Sequence, residues 1–183
     1  MTRHVRGTHI SNVISYVRSK KGITGLEEMW EQLEKKRGKT KREYSQNEFV
    51  EYDLLLDLFQ VVEDLFGTGP NETRRSREIG KHIVENLGHF EYLLRAEGFK
   101  ELLVKAQEGI RQVYDFGKLE LAEWSDDRAV IRYHDFPSDE NICSYFQGSL
   151  EKDLEMLGLK GKVEHTKCPA KGEEFMEFIA TWE

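Results

Sequence analysis

The residues best suited to bind a metal ion are two cysteines, Cys143 and Cys168, and six histidines. Thiolates and imidazoles are the ligands that Zn²⁺ prefers in proteins. Two cysteines are too few for a disulfide framework, and with the rest of the composition they indicate a reducing, cytoplasmic environment. The alternative reading of the pair is structural, since buried and reduced cysteines pack as small apolar side chains.

Enzyme chemistry has little support in the pattern of residues. The chain contains no Gly-x-Ser-x-Gly, no P-loop and no Gly-x-Gly-x-x-Gly motif. His134 and Asp135 could form an orienting pair for a general base, but neighbouring residues of a strand point to opposite faces of the sheet. We therefore expect a protein that is not an enzyme.

Basic residues are concentrated in two places. Six of them lie between Lys35 and Arg42, and a smaller group lies between Arg74 and Arg77. Either group could bind phosphate or an acidic surface. The alternative for the first group is a solvated helix end, where cations complement the helix dipole. The net charge of −7 favours this alternative and argues against nucleic acid or an anionic membrane as the partner.

Length and composition indicate one globular domain over residues 1–183. Hydrophobic residues make up 38% of the chain and charged residues 33%, which is typical of a folded protein with a core. No apolar stretch approaches the roughly 20 residues that span a bilayer. The expected localisation is therefore the cytoplasm.

The C-terminal part reads as strand, strand, helix, strand, strand. Leu119 and Leu121 alternate with charged residues, as do Ile131 and Tyr133, and this period of two indicates a sheet with one buried face. Apolar residues at helical spacing follow over 138–158. Residues 1–115 carry helical patterns. The fold class is therefore α+β, with an N-terminal helical half packed on an antiparallel sheet of about four strands and a crossing helix.

Two further features of the pattern concern local structure. Gly22 is placed to end the first helix, and the capping-box pair Ser45 and Glu48 predicts that the longest helix begins there and runs to about Phe66. Gly148 lies inside the helix of 138–158. Such a glycine usually allows another backbone to come close, and we expect that backbone to be the sheet.

The C-terminal pattern resembles one known superfamily. The residues that carry the likeness are Cys143-x-Tyr145-x-x-Gly148, then Leu154-x-x-Leu157-Gly158, Val163 to Cys168, Gly172, Phe178 and Trp182. The superfamily contains heme-NO-binding (H-NOX) domains, 4-vinyl-reductase-type ligand-binding domains and TRAPP tethering subunits. The opening, Val5-Arg6-Gly7 followed by Ile10, Val13 and Tyr16-Val17, also resembles H-NOX-like bacterial domains.

The resemblance implies a pocket for a small molecule between the helical half and the sheet. We expect a sensor or signalling domain that holds a small apolar ligand there and acts through a protein partner or a homodimer. The candidate lining residues are Phe59, Val62, Phe99, Leu103, Tyr133, Tyr145 and Phe146. The alternative is a TRAPP-like dimeric assembly module whose interior is filled by its own side chains.

For heme, the resemblance supplies a test that this sequence does not pass. H-NOX domains hold heme with a histidine on the helix before the sheet and a Tyr-x-Ser-x-Arg clamp on its carboxylates. The matching stretch here begins at Tyr133 but has Asp135 for the serine and Pro137 for the arginine. Residues 99–113 contain no histidine, and the nearest ones are His82 and His89. We therefore expect no heme.

For zinc, the resemblance supplies a partial ligand set. Phenol-sensing members of the 4-vinyl-reductase type use three cysteines and an acidic residue. Cys143 and Cys168 match two of the cysteines, His165 falls where the acidic ligand would be, and Met176 replaces the last cysteine. Two thiolates and an imidazole suit Zn²⁺, whereas a thioether is a poor fourth ligand. A zinc-binding domain is thus the second alternative.

Overall fold

The structure is a computed structural model that describes residues 2–67, 74–86 and 95–183. Its helices are α1 (Gly7–Arg37), α2 (Tyr52–Phe66), α3 (Arg75–Glu85), α4 (Phe99–Val113) and α5 (Glu140–Met156). Its strands are β1 (His4–Arg6), β2 (Phe49–Glu51), β3 (Lys118–Trp124), β4 (Arg128–His134), β5 (Gly161–Lys167) and β6 (Met176–Trp182). A short 3₁₀ turn covers Pro169–Lys171 between the last two strands.

The C-terminal sheet has the predicted composition of two hairpins with a helix between them. Its strand order is β3-β4-β6-β5, and every neighbouring pair is antiparallel. Helix α5 connects β4 to β5 across the sheet. Alternate residues of β4 and β6, such as Ile131 and Phe178, are fully buried under the helices. The α+β class and the crossing helix are therefore confirmed.

Both edge strands of this sheet are irregular. The pairing of β3 with β4 shifts register between Leu121 and Glu123, and the pairing of β5 with β6 shifts between His165 and Lys167. Each shift places one extra residue on the edge strand, which bends it and increases its twist.

The first helical segment is interrupted where the sequence predicted an end. Gly22 has φ 70° and ψ −166°, a conformation outside the helical region that is open mainly to glycine. Helical geometry resumes at once and continues to Arg37, and Gly38 ends the helix with its N–H on the Glu34 carbonyl. The element is therefore one kinked run of 31 residues, and the predicted helix end at Gly22 is its kink.

The start of α2 differs from the prediction. A Glu48 carboxylate oxygen does accept a hydrogen bond from the Ser45 N–H, as the capping pattern requires. The chain then extends through β2, which pairs with β1, and the helix begins only at Tyr52. The capping contact closes a turn here, because pairing with the N-terminal strand holds the next residues extended.

Helices α3 and α5 pack at backbone distance. A Cβ added at Gly148 would lie 2.0 Å from the Arg77 carbonyl oxygen, and one added at Gly80 would lie 2.0 Å from the Tyr145 carbonyl oxygen. Both glycines are buried, one on each helix. The close approach predicted for Gly148 therefore exists, but its partner is α3 and not the sheet.

None of the helices within the described ranges is long and apolar enough to cross a membrane. Most of the first basic group is paired within the chain. Arg37 binds Asp57 and Glu51, Lys41 binds Glu48, and Arg42 binds Glu27 and Glu34. These ion pairs use the charges that a phosphate-bearing partner would need, in line with the alternative reading of that segment.

The glycine contact gives a direct test of the fold. We expect Gly148→Ala to lower the free energy of unfolding by about 1–3 kcal/mol, because the new methyl group must push α3 and α5 apart. The gain in helix propensity, up to about 1 kcal/mol, is too small to offset this. Urea unfolding followed by circular dichroism measures the change.

The control is Gly98→Ala, because an added Cβ at Gly98 meets nothing within 4 Å. Gly98 is also the N-cap of α4, so that variant should lose no more than about 1 kcal/mol. Equal stability of Gly148→Ala and the unmodified protein would contradict backbone contact between the two helices.

Candidate functional site

A cavity lies between the helices and the sheet. Its volume is about 140 Å³. Its wall is formed by the first turn of α1, the end of α3, one face of α4, β3, β4 and α5. Most of the wall is apolar, and an apolar cavity of roughly 150 Å³ in another protein binds benzene.

The space arises from the residues that α4 presents to it. Ala106 and Gly109 lie on the wall, one helical turn apart, between larger apolar residues. The wall also includes Tyr133 and Phe146, whose rings pack with centroids 4.3 Å apart. The small residues on α4 leave space that larger side chains would fill.

His9 is one of several polar residues on the wall that the sequence reasoning missed. It lies in the first turn of α1, and its Nδ1 is 2.6 Å from the Tyr145 hydroxyl on α5. Burial lowers the pKa of His9 from 6.5 to about 3, so the imidazole is neutral near pH 7. No local pattern marks this histidine, because its partner lies 136 residues along the chain.

Asp153 is another polar residue of the wall that was missed. It follows Phe146 and Ser149 along α5 and, like them, lines the cavity. Its side chain is half-buried. Burial raises its pKa from 3.8 to about 7. Among the described residues the carboxylate oxygens of Asp153 have no hydrogen-bond partner and no ion pair. An acidic residue at this spacing is usually solvated, so no local pattern distinguishes Asp153 from a surface carboxylate.

The seven predicted lining residues fall into two groups. Tyr133, Tyr145 and Phe146 line the cavity. The other four are nearly or fully buried in the core and do not form part of the cavity wall: Phe59, Val62, Phe99 and Leu103. Their apolar character at helical spacing therefore reflects core packing. A role in ligand binding stays a prediction for the first three.

The three predicted metal ligands come together away from this cavity wall. Cys143 on α5, His165 on β5 and Cys168 after β5 have ligand atoms that all lie within 4.8 Å of one another. The two sulfur atoms are 3.0 Å apart, somewhat less than the about 3.8 Å that a tetrahedral Zn²⁺ with 2.3 Å bonds would set. Both cysteines are buried and not bonded to each other as a disulfide.

The protonation states of the group matter for metal binding. Burial and the adjacent Cys168 thiol raise the pKa of Cys143, so a cation would have to displace its proton. Burial lowers the pKa of His165, which leaves the imidazole neutral. Its Nε2 is buried and has no hydrogen-bond partner among the described residues. Met176, predicted at the fourth ligand position, is fully buried at the start of β6.

Heme does not fit the described residues in the way that H-NOX domains hold it. Helix α4 carries no histidine, and at the cavity it presents Ala106 and Gly109. Asp135 and Pro137 follow β4, and Asp135 adopts the left-handed conformation with φ 61°. The described wall of the cavity contains neither lysine nor arginine, so a pair for heme carboxylates is missing there.

Of the two histidines nearest in sequence, the structure describes only one. His82 lies on α3 with its Nε2 3.2 Å from the Ser15 hydroxyl, and it does not line the cavity. His89 lies outside the described residues.

Neither a protein-family model nor a curated protein sequence matches the chain. Solved structures do match it. An H-NOX protein from S. oneidensis in the Fe(II)NO state is 14% identical, with 97% of this chain and 99% of that chain covered and a TM-score of 0.76. An unliganded Fe(II) H-NOX mutant from K. algicida is 13% identical, with 97% and 96% covered and a TM-score of 0.73.

A third match is an oxygen-binding H-NOX domain related to soluble guanylate cyclases. It is 16% identical, with 97% of this chain and 95% of that chain covered and a TM-score of 0.70. At this level of sequence identity the matches establish the fold alone. The chain has an H-NOX-like fold over nearly its whole length, as the resemblance in its sequence predicted.

The raised pKa of Asp153 gives a pH-dependent prediction. Between pH 3.8 and about 7 the folded state binds more protons at Asp153 than the unfolded state, so the stability that depends on this group is present at low pH and lost as the pH rises towards 7. Asparagine does not titrate. The free energy of unfolding of Asp153→Asn, relative to that of the unmodified protein, should therefore rise by roughly 2–4 kcal/mol between pH 4 and pH 8. Urea unfolding at the two pH values measures this difference.

Two comparisons make the result specific. Burial lowers the pKa of His9, so its effect on the pH dependence of stability is opposite to that of Asp153. This effect is present in both proteins and cancels when their free energies of unfolding are subtracted. Glu155→Gln is the control, because Lys152 lowers the pKa of the exposed Glu155 and that variant should change slightly in the opposite direction. A difference between Asp153→Asn and the unmodified protein that does not vary with pH would show that Asp153 is solvated.

Proposed function

We propose that this protein is a sensor-type domain that binds a small, largely apolar molecule in the cavity between the helices and the sheet. The observation that carries the proposal is the cavity itself, which is apolar, bordered by aromatic rings and large enough for a single ring. The H-NOX-like fold supports the same location, since the solved structures that share it include ones described with a bound gas.

The proposal includes a means of readout. The cavity wall joins α1, α3, α4 and α5 to the sheet, so a ligand contacts elements from both halves of the chain. Binding would change how these elements pack, and a protein partner or a second copy of the chain would detect the change. Among the described residues of the cavity wall, Ser149 donates its hydroxyl to backbone carbonyls and is not paired with a general base.

The first test fills the cavity. Toluene at several times its Kd should raise the Tm of the unmodified protein by about 2–4 °C, because a ligand that binds only the folded state stabilises it by about 1 kcal/mol. Ala106→Leu places a larger side chain on the cavity wall and should abolish the shift. Differential scanning calorimetry with and without toluene measures both.

Val104→Leu is the matched control on the same helix. Val104 is 45% exposed and lies off the cavity wall, so this variant should keep the full shift. An unmodified protein whose Tm and NMR spectrum do not respond to toluene would contradict a ligand-binding cavity.

A second candidate function is zinc binding through Cys143, His165 and Cys168. The observation that favours it is the buried Nε2 of His165, which has no partner among the described residues and lies with two thiols. An unpartnered buried nitrogen is unfavourable unless something binds it. A neutral imidazole and two thiolates would hold the ion, with one position left for a fourth ligand.

The zinc proposal predicts about one Zn²⁺ per chain in protein purified without chelators, measured by elemental mass spectrometry. Cys143→Ser should lose the metal and should lower the Tm, because the site contributes to folding. Met176→Leu conserves the volume at a fully buried position and should keep the metal. Metal-free protein after growth in zinc-supplemented medium would contradict the candidate.

A further inference from the structure

The inference concerns the Asp153 carboxyl group and rests on the proposed ligand-binding function. Asp153 lies on α5 at the edge of an aromatic and apolar wall, about two turns beyond Phe146. A carboxylate in such surroundings is unfavourable unless it is neutralised or paired. The described residues of the cavity wall include no lysine and no arginine.

Two lysines on and beside α5 are paired with other carboxylates. Lys152 has its Nζ 2.8 Å from Glu85 and 2.8 Å from Glu155. Lys81 on α3 has its Nζ 3.0 Å from Glu151. These pairs leave the Asp153 carboxyl facing the cavity without a cation from the described part of the chain. A cationic ligand can therefore supply the positive charge that pairs with the Asp153 carboxylate.

The rest of the wall is also suited to a cation. Three tyrosines and a phenylalanine present rings to the cavity, and the negative faces of such rings attract ammonium groups. The His9 imidazole is neutral, so no positive charge competes with the ligand. The chain as a whole carries a net charge of −7, which draws cations towards it.

We propose that the cavity selects a small apolar amine, with its ammonium group on the Asp153 carboxylate and its apolar part against Tyr133, Tyr145 and Phe146. A neutral ring would use the apolar wall alone and bind more weakly. An anion such as an aromatic carboxylate would meet Asp153 as a like charge and be rejected.

Isothermal titration at about pH 8.5, where Asp153 is ionised and benzylamine is still largely protonated, provides the test. Benzylamine, benzyl alcohol and benzoate share a ring and differ in charge. Benzylamine should bind the unmodified protein at least about tenfold more tightly than benzyl alcohol, and benzoate should not bind. In Asp153→Asn the amine and the alcohol should bind within about twofold of each other.

The alcohol also reports on folding, because Asp153→Asn should still bind it. Glu155→Gln is the control for general electrostatics, since it removes an exposed carboxylate two residues along α5 and should leave the tenfold preference intact. Equal binding of amine and alcohol to the unmodified protein, or an amine preference that survives Asp153→Asn, would overturn the amine proposal alone. Absence of binding by both neutral and cationic rings would overturn the ligand-binding function together with it.

Discussion

The backbone contact between α3 and α5 is the constraint on which the rest of the arrangement depends. Gly148 and Gly80 let the two helices meet without intervening side chains. This fixes the rotation of α5 about its own axis, because only the glycine face can turn towards α3. The same helix then directs Tyr145, Phe146 and Asp153 to the cavity and Cys143 towards β5. One contact thus sets the geometry of both candidate sites.

The two candidate sites differ in the changes of protonation that binding would require. The cavity is a space lined by rings, with a neutral histidine and a carboxyl group whose pKa is raised by burial. A ligand that bound there would displace a proton from Asp153 at most. The Cys143, His165 and Cys168 group is compact, and two thiols must ionise before a metal ion binds.

Sequence reasoning recovered what local patterns encode. Alternation around Leu119 and Ile131 predicted the sheet, and the likeness around Cys143 to Cys168 predicted a metal-ligand set whose three residues do lie together. It failed where distant segments decide the outcome. Ser45 and Glu48 make their capping contact, yet strand pairing delays the helix to Tyr52. No local pattern predicted that His9 and Asp153 line the cavity. They do so only because the first turn of α1 and the end of α5 border the same space.

The register shifts in β3 and β5 have a consequence for assembly. These two strands form the outer edges of the sheet, and each combines a bulge with charged residues such as Glu123 and Lys162. A twisted, charged edge is a poor template for an added strand. The outer edges of this sheet are therefore unfavourable places for another chain to add a strand and extend the hydrogen-bond ladder.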